Sequence, residues 1–198
     1  MTADEVTLAD EVALAVEVAL ARDAPHVYLG HGAAGSAVTM RPHVEGLHRR
    51  GIEATAVQLP KHRAEDAVDA YLAQVAGGRP LVIGGHSYGG RVASLLAARG
   101  TGLDGGRRIA GLVLFSYPLH RPGAPDLEVR SAHFPAIDCP VLLLSGESDP
   151  FARLDLLSLA VERLRDAELV TYPRMGHGLA PVLEDALDRV ARFVAALE

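Results

Sequence analysis

Leu81-Val82-Ile83-Gly84-Gly85-His86-Ser87-Tyr88-Gly89-Gly90-Arg91 is the stretch that decides how this chain is read. Leu81 to Ile83 is an apolar run short enough for a buried parallel strand, and it stops at paired glycines. After Gly90, Val92, Leu95 and Leu96 recur at helical spacing. Between strand and helix lies Gly85-x-Ser87-x-Gly89, the pattern of a nucleophile elbow. A serine on so sharp a turn takes strained backbone angles, and side chains two positions to either side would strike the crossing backbone. Glycine removes both collisions, and the strain is tolerated because it lifts the hydroxyl clear of the sheet. With 20 glycines in 198 residues, a given serine is flanked in this way by chance roughly once in a hundred.

Outward from this stretch, strands and helices alternate. His26-Val27-Tyr28-Leu29 predicts a short strand running into Gly30-His31-Gly32-Ala33-Ala34-Gly35. Ser36 is placed to cap a helix that Gly51 ends. Strands are expected over 52–59, 109–115, 141–144 and 168–172, and helices over 63–76, after Ser87 to Gly100, over 154–164 and over 182–197. Strand–helix alternation means βαβ units, hence a mostly parallel twisted sheet with helices on both faces. Nearer the start, Val12, Leu14, Val16, Val18 and Leu20 fall on alternate positions and predict a strand, with 6–8 as an antiparallel partner. Residues 117–135, rich in proline, break the rhythm and carry too little apolar periodicity for a helical subdomain.

Composition bounds the rest. A chain of 198 residues suits one α/β domain over 1–198. The net charge of −6 and the absence of a basic block argue against nucleic acid as partner. Arg107-Arg108, after Gly105-Gly106, reads as a solvated turn. The single cysteine, Cys139, excludes an internal disulfide framework, offers no zinc pair and is expected to be a buried inert thiol. The acidic start, Met1-Thr2-Ala3-Asp4-Glu5, is unlike a basic signal peptide. No uncharged run of membrane-spanning length follows, so the expectation is a cytoplasmic protein without a membrane partner. Oligomeric state is not legible.

A serine hydroxyl needs a base, and the base needs an orienting group. In a parallel sheet both should stand on loops at the carboxyl ends of later strands. The 141–144 strand leads to Ser145-Gly146-Glu147-Ser148-Asp149-Pro150, and the 168–172 strand to Pro173-Arg174-Met175-Gly176-His177-Gly178. Asp149 and His177 are therefore the expected orienting acid and base, with Glu147 and Asp126 as alternative acids. The Tyr88 and Ala33 amides are the expected oxyanion donors, Ala34 being second to Ala33. His31 is expected to shape its loop, with His31, Ala34 and His120 as possible pocket lining. His86 is expected to pack beside the strand. His120 and His133 are assigned mainly to the surface.

Residues 30–35 also spell G-x-G-x-x-G between a strand and a helix, the dinucleotide fingerprint of a nicotinamide-dependent oxidoreductase. That chemistry needs an acid at the end of the next strand. Here the strand ends Val57-Gln58-Leu59-Pro60, with Glu53 at its other end.

The order Ser, Asp, His is that of α/β-hydrolases. Gly-His-Ser-Tyr-Gly-Gly-Arg (85–91), Tyr-Pro-Leu-His-Arg-Pro-Gly (117–123), Arg130-Ser131-Ala132-His133 and Gly146-Glu147-Ser148-Asp149 resemble a group of small cap-less α/β-hydrolases. The group is similar in core size to dienelactone hydrolases. It holds many bacterial proteins of undefined substrate, as well as eukaryotic hydrolase-like proteins of the testis-expressed and histone-acetyltransferase-complex type. The resemblance runs from His26 onward. It implies an eight-stranded type of sheet without a helical cap, residues 117–135 standing where a cap would be. Dienelactone hydrolases carry a cysteine nucleophile where this chain has Ser87, and some relatives are scaffolds. The implied activity is cleavage of an ester, thioester or similar acyl bond in a small-molecule substrate, with no cofactor and no metal. The alternative is a non-catalytic binding or scaffold protein on the same fold.

Overall fold

The computed structural model describes residues 24–100, 102–103 and 107–197. The strands expected over 6–8 and 12–20 lie outside the described residues.

Among the described residues seven strands form one sheet: β1 (His26–Gly30), β2 (Ala54–Val57), β3 (Pro80–His86), β4 (Gly102–Leu103), β5 (Arg107–Phe115), β6 (Val141–Gly146) and β7 (Ala167–Tyr172). Their order is β2-β1-β3-β5-β6-β7, all parallel, with the two-residue β4 antiparallel on β5. The helices are α1 (Arg41–His48), α2 (Ala64–Leu72), α3 (Tyr88–Ala97), α4 (Leu154–Val161) and α5 (Leu183–Ala195).

Alternation along β3 shows why the strands are apolar throughout. Leu81 and Ile83 face a core built with α2, α3 and α4, while Val82 faces a second core built with α1 and α5. All three are fully buried, each burial contributing roughly 1.5–3 kcal/mol. A strand buried on both sides cannot alternate apolar with polar residues. Residues 117–137 close the first core through Tyr117, Leu119, Phe134 and Ile137.

Several expected boundaries shift. The helix expected from Ser36 begins as a 3-10 turn, Ala37–Met40, and becomes α-helical only at Arg41, with Pro42 in its first turn. The Ser36 side chain makes no capping hydrogen bond; its carbonyl instead accepts from the Thr39 amide and hydroxyl. The 52–59 strand pairs only over Ala54–Val57, because Gln58 and Leu59 turn their amides to side chains of Gln74 and His31. Arg107 and Arg108 open β5, where Arg108 pairs with Pro80 of β3 and Gly102 of β4. They are not a turn. Residues 117–135 hold turns and no α-helix, as their composition predicts, with a 3-10 turn at Phe134–Ala136.

Strand order reverses at β1/β3, since β1 leads to β2 on one side and β3 to β5 on the other. The crevice above that switch point is the natural ligand site of an open α/β sheet. Among the described residues no helix is long and apolar enough to cross a membrane.

Candidate active site

Three glycines bring α3 onto the end of β1. Gly30 and Gly85 are paired in the sheet. A Cβ on Gly89 would stand 2.2 Å from the Gly30 carbonyl carbon and oxygen, and one on Gly85 would stand 2.3 Å from that oxygen. The collisions expected of the Gly-x-Ser-x-Gly pattern are therefore real ones. Ser87 between them has φ 52° and ψ −114°, a region that costs about 1–3 kcal/mol. It is pinned by its amide to the Phe115 carbonyl at 2.9 Å and by its carbonyl to the Arg91 amide at 3.0 Å.

The other two turns are stitched together. The Glu147 amide donates to the Tyr172 carbonyl and the Ser148 amide to the Met175 carbonyl. A Cβ on Gly146 would lie 2.2 Å from the Met175 carbonyl oxygen, so the two loops pack back to back only with glycine there. This juxtaposition carries Asp149 to His177. The Asp149 Oδ2 to His177 Nδ1 distance is 2.8 Å, and His177 Nε2 to Ser87 Oγ is 2.8 Å. A carboxylate only accepts, so Nδ1 carries the imidazole proton and Nε2 turns its lone pair to the Ser87 hydroxyl. Asp149 has no exposed side-chain surface, whereas His177 keeps 23%. Its second oxygen accepts the Phe151 amide at 2.8 Å.

The alternative acids are engaged elsewhere. Glu147 accepts the Thr171 hydroxyl, and Asp126 accepts the Glu128 and Val129 amides. Ala33 and Tyr88 both line the cleft beside Ser87, and the Tyr88 amide, first in α3, has no acceptor within its own helix.

His31 does not line the cleft. It is 1% exposed, donates from Nδ1 to the Gly32 carbonyl and accepts at Nε2 from the Leu59 amide, so it shapes its loop. Ala34 is exposed and does not line the cleft either. His120 does border the cleft, yet its assignment to the surface fails: it is 3% exposed. Its Nδ1 donates to the Arg121 carbonyl, and its Nε2 accepts the Arg153 amide at 2.9 Å. That bond locks residues 117–121 to the loop bearing Asp149. His133 is partly buried against Ser94 Oγ at 2.9 Å, and burial lowers its pKa to about 4. Gln58, at the end of β2, faces His31 Nε2 at 3.1 Å, and Glu53 pairs with Arg79 at the strand's other end. The dinucleotide fingerprint thus lacks its acid. Among the described residues no group of three or more His, Cys, Asp or Glu could hold a metal ion.

Two supports of His177 carry no sequence signal. The Phe151 ring lies 4.4 Å from the imidazole, centroid to centroid. His86, whose pKa burial lowers, donates from Nε2 to the His177 carbonyl at 3.1 Å. Behind them His43 is half-buried on α1, edge-on to Phe115, with its pKa lowered to about 4 by burial and by His86. Cys139 is buried, its thiol raised to about 11 by desolvation.

The cleft above Ser87 measures about 890 Å³ and is walled by Tyr88, Leu119, His120, Phe151 and a set of arginines.

No curated protein matches the chain in sequence. Among solved structures, a lipolytic enzyme of the metagenome-derived LipS and LipT pair is similar at TM-score 0.72 and 18% identity, over 88% of this chain and 94% of that one. The monoacylglycerol lipase of Paleococcus ferrophilus is similar at 0.72 and 17%, over 89% and 97%. Est1E of Butyrivibrio proteoclasticus, with ferulic acid bound, is similar at 0.72 and 16%, over 89% and 90%. At these identities the likeness is one of fold. In sequence, residues 49–194 match the model of a family described as an alpha/beta hydrolase domain. The elbow at 85–89 lies within the matched residues, and this chain belongs to that alpha/beta hydrolase family.

Proposed function

We propose that the protein is a serine hydrolase that cleaves a carboxylic ester, thioester or similar acyl bond of a small molecule through an acyl-enzyme. The observation that carries this is the unbroken hydrogen-bond line from buried Asp149 through His177 to Ser87, at 2.8 Å and 2.8 Å. The lipase and esterase descriptions of structural neighbours agree with an ester as substrate.

In this mechanism Ser87 Oγ attacks the acyl carbon while His177 Nε2 takes its proton. Asp149 keeps the imidazole in the tautomer that can accept, and stabilises the imidazolium that forms. The tetrahedral oxyanion is held by the Tyr88 and Ala33 amides, whose dipoles are fixed before the charge develops. His177 returns the proton to the leaving oxygen or sulfur, which departs with the alcohol or thiol. Water, deprotonated by the same imidazole, attacks the acyl-serine and releases the acid, restoring the Ser87 hydroxyl.

A fluorophosphonate probe tests this through intact mass. The folded protein is expected to gain one adduct, and Ser87→Ala none. Absence of an adduct in folded wild type, or an adduct that persists in Ser87→Ala, would overturn the proposal in favour of a non-catalytic binding protein.

A further inference from the structure

The wall of the cleft facing Ser87 is rich in cations. Arg63, Arg91, Arg121 and Arg130 line it against only two carboxylates, Glu65 and Asp126. The carboxylates are committed. Glu65 pairs with both Arg91 and Arg63. Asp126 Oδ1 closes its own turn through the Glu128 and Val129 amides. Arg121 and Arg130 have no carboxylate partner among the described residues. Arg130 is held by one nitrogen only: Nη1 donates to the Pro118 carbonyl at 2.8 Å and to the His120 carbonyl at 3.5 Å. Its Nη2 and Nε have no partner among the described residues, and the buried Nε of Arg91 has none. Burial and the neighbouring Arg91 both pull the Arg130 pKa below its ordinary value. Two like charges are thus kept half out of water on one wall, with free N–H groups and a shortage of anions. A guanidinium fork in that state matches a carboxylate or a phosphate in charge and in geometry.

Position narrows the ligand. Arg91 follows Ser87 by one helical turn, its amide on the Ser87 carbonyl at 3.0 Å. Arg91 and Arg130 line the same cleft as Ser87, so an anion on that wall and an acyl carbon at Ser87 can belong to one small substrate. Leu119 and Val129, also in the wall, suit the methylenes between.

We infer that the substrate carries an anionic group, a carboxylate or a phosphate, separated by two to four methylenes from the scissile carbonyl and recognised by Arg130 and Arg91. This rests on the acyl-hydrolase function proposed above. Three p-nitrophenyl esters of matched length test it: the glutaric half-ester, the uncharged pentanoate and a phosphonate-terminated analogue. On wild type, kcat/KM for at least one anionic ester is expected to exceed that for pentanoate by about tenfold or more, with the advantage shrinking as salt rises. The better of the two anionic esters identifies the group. In Arg130→Gln the anionic-to-neutral ratio is expected to fall about 10- to 100-fold, mainly through KM, with Arg130→Lys between the two. Because Arg130 also braces the backbone, the wild-type preference and a calorimetric titration need no variant: glutarate is expected to bind, and the uncharged pentanamide not. Turnover of pentanoate without preference for either anion overturns this inference and leaves the hydrolase standing. No turnover and no fluorophosphonate adduct overturns the hydrolase, and failure of glutarate and of inorganic phosphate to bind then overturns the anion site as well.

Discussion

The edge of the sheet that bears Ser87, Asp149 and His177 and the segment 117–137 that faces it are built by different means. The edge is made of turns that follow buried strands, and each is fixed by backbone hydrogen bonds and by glycines with no room for a Cβ at Gly85, Gly89 and Gly146. The segment has no ladder. Beyond short-range turn bonds and the His120 amide on the Phe151 carbonyl, it is held by side chains reaching for main-chain oxygens, such as the Tyr117 hydroxyl on the Arg130 carbonyl and Arg130 on Pro118, and by the His120 ring. Rigidity sits at the turns that carry Ser87, Asp149 and His177, where the proposed chemistry takes place. The wall facing them is set by contacts that a few substitutions can change, which leaves function free to vary on a constant fold.

The largest expected effect tests the edge directly. Asp149→Asn presents an amide that donates to Nδ1, forcing the wrong imidazole tautomer, and kcat is expected to drop about 10⁴-fold with the fold intact. A near-normal rate would return the acid role to Glu147 or Asp126 and break the contrast at its firmest point.

Next comes the glycine contact. Gly89→Ala puts a Cβ 2.2 Å from the Gly30 backbone, where no flexible side chain can give way. Chemical denaturation is expected to show a loss of about 3 kcal/mol. Pro122→Ala, in an exposed part of the segment, is expected to cost under about 0.5 kcal/mol. Equal losses at the two sites would remove the distinction between edge and segment.

Each region also holds a half-buried neutral histidine, His43 beneath the edge and His133 in the segment, both lowered to about 4 mainly by burial. In the unfolded chain a histidine titrates near 6.5, so between about 6.5 and 4 the unfolded state binds more protons. Stability is therefore full above that window and falls as pH drops through it. For His43 the loss at pH 5 is about 2 kcal/mol. Urea midpoints measured from pH 7 to pH 5 are expected to decline, and less steeply in His43→Leu than in wild type. An unchanged slope would place the pH sensitivity in His133 or elsewhere in the segment.

Phe151 belongs to both regions, its amide on Asp149, its carbonyl on the His120 amide and its ring on His177. Phe151→Ala keeps the backbone bonds and removes the ring, and kcat is expected to fall about 3- to 10-fold. A loss as large as that of Asp149→Asn would mean that the ring, rather than the backbone, sets the imidazole.

The same contrast explains what could be read in advance. Ser87, Asp149 and His177 each follow an apolar strand by a short turn, so periodicity and chain order locate them. The burial of His120 and the meeting of Arg91 with Arg130 depend on how a proline-rich segment without periodicity folds back. No local pattern encodes that. Ser36 was legible as a cap by residue type, but its carbonyl serves Thr39 instead. The two-residue β4 is too short to leave a period, so the arginines that open β5 looked like a turn.

The central claim is that the hydroxyl at 87 takes up the acyl group. Rapid acid quench of the protein with a p-nitrophenyl ester, followed by peptide mass mapping, measures it most directly. The account predicts an acyl mass on the peptide containing Ser87, in step with a burst of p-nitrophenolate of about one equivalent per chain, and neither in Ser87→Ala, whose steady turnover falls by about 10⁴–10⁶. Acylation on another residue, or turnover in Ser87→Ala equal to wild type, would contradict it.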